Sequence, residues 1–158
     1  MLSITHQDRA LRHQLSWRWA KGEATPRADF GDPLTTAGYV LCVYDASAAP
    51  QPLLALAAPA AGTCASVSCW STSSTGFRYK DRLGTPDGLS LMHLHEGLSD
   101  GTAKLTVTGQ GPSLALPALP FSTPVIVQLG NTDTSACWEA TYGAPSANDT
   151  ERFKSTSD

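Results

Sequence analysis

Between Leu11 and Trp19 the chain alternates strictly: Leu11, His13, Leu15, Trp17 and Trp19 fall on one side, Arg12, Gln14, Ser16 and Arg18 on the other. A helix repeats its faces every 3.6 residues, so this period of two marks a strand buried on one side. The pattern returns. Phe77 and Tyr79 alternate with Arg78 and Lys80, and residues 103–108 (AKLTVT) alternate before the Gly109-Gln110-Gly111 stop. Residues 39–45 (YVLCVYD) are apolar on both sides and read as a central strand. Residues 52–58, 89–96, 124–129 (PVIVQL) and 136–142 (ACWEATY) complete a set of about eight strands.

The punctuation agrees. Thr85-Pro86-Asp87-Gly88 is a strong turn signal, and residues 97–101 turn the chain between 89–96 and 103–108, which predicts a hairpin. Four prolines between 112 and 124 exclude a central strand there. Residues 62–74 read as a Ser/Thr/Cys loop carrying Trp70, and a short helix is expected near residues 6–11. The expected fold is all-β, an antiparallel β-sandwich or jelly roll, with a closed barrel as the alternative. One domain accounts for 158 residues, with 1–10 and 144–158 as loosely attached tails, the latter anchored only by Phe153.

Only 16% of residues are charged, against roughly 25% in ordinary soluble domains, and the net charge is -3. No basic excess or Lys/Arg stripe points to nucleic acid. No run approaches the roughly 18 apolar residues that a membrane helix needs. The first dozen residues are too polar for a signal peptide, so an exported chain is expected to be a processed or excised piece. Four cysteines suit a secreted or extracytoplasmic protein. The preferred pairing is Cys64–Cys69 in a small loop and Cys42–Cys137 tying an early strand to a late one. Free thiols and a zinc site are the rival readings; the latter lacks CxxC spacing.

Several motifs follow one another in a distinctive order: FGDP (30–33), LCVYD (41–45), CW (69–70), GFRYKD (76–81), TPDG (85–88), LHEGLSDGTAKLTVTGQG (94–111), LPALP (116–120), PVIVQL and CWEATY. Over residues 15–155 this order resembles a β-domain of unknown function found in predicted secreted proteins of environmental bacteria, often within longer chains. The resemblance implies an extracellular β-domain with paired cysteines and assigns no catalytic residue.

Chemistry has one lead. His93 and His95 share one side of a strand, close enough to hold a divalent metal, zinc above all or copper. Zinc needs a third protein ligand. His13 is the first candidate; His6, Glu96 and Asp100 are less constrained. Such a site would generate a hydroxide for hydrolysis of activated esters or phosphoesters. The plainer reading is two surface histidines and no cofactor. No GxSxG elbow is present, and nothing in the spacing of Asp45, Asp81, Asp87, Glu96 and Glu139 makes a glycosidase pair. A calcium loop of the DxDxDG kind is missing too. Exposed aromatic rings would instead stack on sugars, and Trp70 is the expected stacking residue; Trp17 and Trp19 read as core. The favoured expectation is an extracellular non-catalytic module for adhesion, binding a polysaccharide or a protein partner. The alternative is the metal-dependent hydrolase.

Overall fold

The structure is a computed structural model and describes residues 1–7, 12–47 and 51–158. Every expected strand forms. They are β2 (Gln14–Ala20), β3 (Tyr39–Tyr44), β4 (Leu54–Ala58), β8 (Gly76–Lys80), β9 (Leu89–His95), β10 (Lys104–Gln110), β11 (Val125–Asn131) and β12 (Cys137–Tyr142). Shorter strands join them: β1 (Leu2–Thr5), β5 (Thr63–Cys64), β6 (Val67–Ser68), β7 (Trp70–Ser73), β13 (Ala147–Asn148) and β14 (Arg152–Ser155).

Two antiparallel sheets carry the fold. The larger has eight strands in the order β13-β14-β1-β2-β10-β9-β8-β7, and the smaller has four, β12-β11-β3-β4. β5 and β6 form a separate two-stranded ribbon. The expected hairpin is β9–β10, with Leu105 opposite Leu94 and Val107 opposite Met92. Period-two patterning puts Leu15, Trp17, Met92, Leu94, Leu105 and Val107 on the inner side of the large sheet. Leu41, Val43, Leu56, Val127 and Leu129 answer from the small one, and all lie in one buried core. The architecture is that of a sandwich. At one corner the Trp19 indole N–H donates to the Glu139 carbonyl of β12 at 3.0 Å, linking the sheets without a shared ladder.

The ends of the chain correct an expectation. Residues 144–158 are not a loose tail, and neither are the first five residues. β1 lies between β14 and β2, pairing Ile4 with Phe153 on one side and with Leu15 on the other. Leu2, Ile4 and Phe153 are fully buried. Each segment is too short to declare itself, but each gains a complete ladder from its partner. The helix expected over residues 6–11 falls mostly outside the described residues.

The segment read as a loop at 62–74 is also more ordered than expected. It forms the β5–β6 ribbon, whose turn puts Ala65 and Ser66 at φ 50° and 69°, then edge strand β7. One close approach fixes the neighbouring register: a side chain at Gly76 would lie 1.9 Å from the Leu94 carbonyl oxygen, so only glycine lets β8 start against β9.

Candidate functional site

His93 and His95 project from β9 to the exposed side of the large sheet. Across the ladders, His93 stands opposite Arg78 of β8 and Thr106 of β10, while His95 stands opposite Gly76 and Lys104. His95 Nδ1 shares a 2.9 Å hydrogen bond with the Thr75 hydroxyl. Partial burial and the Arg78 guanidinium lower the His93 pKa below the ordinary imidazole value. These neighbours are cations and hydroxyls, a poor setting for a metal ion.

His13 does not join them. It lies just before β2, five residues from Arg18, and an extended chain separates those positions by about 17 Å. Its ring packs against His6 at 5.1 Å between centroids, and its Nδ1 meets the Leu114 carbonyl oxygen at 3.3 Å. Among the described residues, no three His, Cys, Asp or Glu side chains gather as a metal-holding group.

The carboxylates named from the sequence are dispersed, and three are occupied by backbone N–H groups of loops and strand ends. Asp81 is buried and accepts the N–H groups of Leu83 and Thr85. Asp87 caps Leu89 and Ala57, and Asp45 holds Ser47 and Ser122.

Trp70 is corrected outright as a stacking residue. It is 2% exposed. As the first residue of β7 it points inward, where its ring packs 5.6 Å from Tyr39 and 5.2 Å from Tyr79, and its N–H donates to the Pro59 carbonyl. Trp17 and Trp138 are buried as well. Trp19 keeps some exposure, but Gly22 lies so close to its ring that a Cβ there would come within 1.9 Å.

Of the two expected disulfides, Cys64–Cys69 is present, with Cα atoms 5.0 Å apart. Cys42 and Cys137 are both free thiols. They flank β11 on the outer side of the small sheet, Cys42 opposite Gln128 and Cys137 opposite Gly130. Two strand spacings come to about 9.5 Å, beyond the roughly 7 Å limit for a disulfide. The expectation had the right strands but missed the one between them. Burial, Glu139 and Cys42 together raise the Cys137 pKa.

A feature not anticipated from the sequence is the charge pattern of the large sheet. None of its eight strands contains an acidic residue, although the chain has 14. They do contain Arg18, Arg78, Lys80, Lys104, Arg152 and Lys154, all exposed. Alternation sends every one of them outward, because the inner positions are apolar. One row across the sheet reads Ser71, Arg78, His93, Thr106, Arg18. A second reads Lys80, Leu91, Thr108, Ser16, Ser3, Lys154. At the β7–β8 edge the face runs into a cleft of about 350 Å³, bounded by the Cys64–Cys69 ribbon and by Ser71, Arg78, Lys80 and Arg82.

No protein-family model, curated protein or solved structure matches this chain.

Proposed function

We propose that the chain is an extracellular, non-catalytic β-sandwich module that binds a carbohydrate polymer across the open face of its large sheet. One observation carries this reading: the outer side of that sheet is a broad, ordered array of hydroxyls, amides and cations with no carboxylate among its strands. Sugar polymers present dense hydroxyls, and Ser3, Ser16, Thr106, Thr108 and Gln110 supply matching donors and acceptors. Glycoside hydrolysis takes a pair of carboxylates, which these strands do not offer. The disulfide and the Ser/Thr/Gly-rich composition support an oxidising, extracytoplasmic setting. No helix among the described residues is long and apolar enough to cross a membrane.

The metal-dependent hydrolase centred on His93 and His95 draws no support from their surroundings, since Arg78 and Lys104 are the charged residues placed opposite them. Affinity electrophoresis through gels containing a panel of neutral and charged polysaccharides tests the proposal. Retardation by at least one polymer, lost when Thr106 is replaced by a bulky residue such as Trp, is expected. Uniform migration through every gel would overturn it.

A further inference from the structure

We infer that the ligand is a polyuronate, an acidic polysaccharide whose units carry carboxylates, tracked by the row Arg78–His93–Thr106–Arg18 and seated at one end in the disulfide-bounded cleft. The inference rests on the carbohydrate-binding reading above and adds the chemical class of the ligand.

Charge complementarity is the first argument. The molecule is net negative at -3, yet six of its 11 lysines and arginines stand on this one face. Among the described residues, the acidic side chains lie in loops, in the 3-10 turn Arg27–Phe30 and on β12 of the other sheet. Strand spacing sets Arg78 and Arg18 about 14 Å apart, and Lys80 and Lys154 about 24 Å apart. That reach suits a polymer better than a small anion. Arginine presents a planar fork that fits a carboxylate with two parallel hydrogen bonds, and the Thr106 hydroxyl and His93 imidazole between the arginines suit the ring alcohols of the sugar.

The lack of any outward Trp, Tyr or Phe is the second argument. All Trp, Tyr and Phe side chains of the eight strands occupy inner positions; Trp17, Trp70, Phe77, Tyr79 and Phe153 are buried and Trp19 packs at the edge of the core, so the outward rings are the small imidazoles of His93 and His95. A neutral glycan held by ring stacking would find no platform here, so charge must supply the affinity. Single-stranded nucleic acid likewise depends on aromatic stacking. A protein partner would want apolar anchors, and Leu91 is the one large apolar side chain in the two rows.

The cleft is the third argument. Arg78, Lys80 and Arg82 converge on it, and the Cys64–Cys69 bridge holds its opposite wall. Three cations around a fixed wall provide an end-stop for an anionic chain.

The test compares immobilised polygalacturonate, neutral dextran and duplex DNA at equal ionic strength, with two charge-matched variants. Thr106→Asp puts one negative charge at the centre of the face. Ala55→Asp puts the same charge on exposed β4 of the other sheet. Expected results are salt-sensitive retention on polygalacturonate, about tenfold weakening by Thr106→Asp, no change with Ala55→Asp, and passage through dextran. Retention on dextran that ignores salt and Thr106→Asp would overturn the acidic ligand while leaving the carbohydrate module standing. Stronger retention on DNA, or equal loss in both variants, would overturn the inference. Failure to bind any polysaccharide would remove the module reading with it. Circular dichroism confirms that both variants fold.

Discussion

Arg78 stands directly across the β8–β9 ladder from His93, guanidinium beside imidazole with no carboxylate on either strand. The pairing has a pH consequence. Its lowered folded pKa, set by burial and then by Arg78, favours the neutral ring in the folded state. The stability tied to that ring is present above the unfolded value of about 6.5 and is lost as the pH falls through the lower folded value. NMR titration should find His93 titrating below the free-histidine value, with Arg78→Gln moving it up. His93→Gln should flatten the corresponding stretch of the stability–pH profile.

Cysteine chemistry separates the two pairs. Alkylation of the unfolded, non-reduced protein followed by mass spectrometry should label Cys42 and Cys137 and leave Cys64 linked to Cys69. In the folded protein Cys137 should react more slowly at neutral pH than an unperturbed exposed thiol, because its raised pKa keeps it protonated. A Cys42–Cys137 peptide would contradict the sheet order.

Asn131 is a buried polar post at the end of β11. Its side chain donates to the Phe30 carbonyl and the Tyr39 hydroxyl at 2.9 and 3.2 Å, and accepts from the N–H groups of Asp133 and Thr134. Asn131→Ala leaves several of these groups unpaired, at a cost of about 1–3 kcal/mol. Trp70→Ala empties the ring cluster with Tyr39 and Tyr79 and should cost about 3–5 kcal/mol. Urea denaturation measures both.

The terminal strands give a third stability prediction. Phe153 packs at 5.2 Å against Phe121, and its strand completes the β1 ladder. Phe153→Ala should therefore destabilise the domain by about 3–5 kcal/mol, a core-sized loss. A change within about 0.5 kcal/mol would fit a loose tail instead.

These strands also show what the sequence could and could not reveal. Residues 14–20 and 104–110 alternate long enough to announce a period of two, residues 39–44 form a continuous apolar and β-branched run, and turn signals bound the rest, so the eight longer strands are legible. β1, β13 and β14 span two to four residues each, too short for any period. Trp70 looked exposed because its neighbours are Ser, Thr and Cys, yet it holds the inward position at the start of an edge strand. The histidine face was legible from i, i+2 spacing. Its cationic character was hidden, because Arg18 belongs to β2 and Arg78 to β8, strands far apart in the chain that only the order β2-β10-β9-β8 brings onto one surface. Carboxylates in the turns masked that asymmetry in the net charge.

The central claim concerns the outer face of the large sheet. Titration of 15N-labelled protein with an oligogalacturonate, followed by NMR chemical shifts, tests it most directly. Shifts should concentrate at Arg18, Arg78, His93, Lys104 and Thr106 and extend to the Cys64–Cys69 ribbon. Shifts confined to the outer side of the small sheet, around Cys42, Gln128 and Glu139, or no shifts at saturating ligand, would contradict the account.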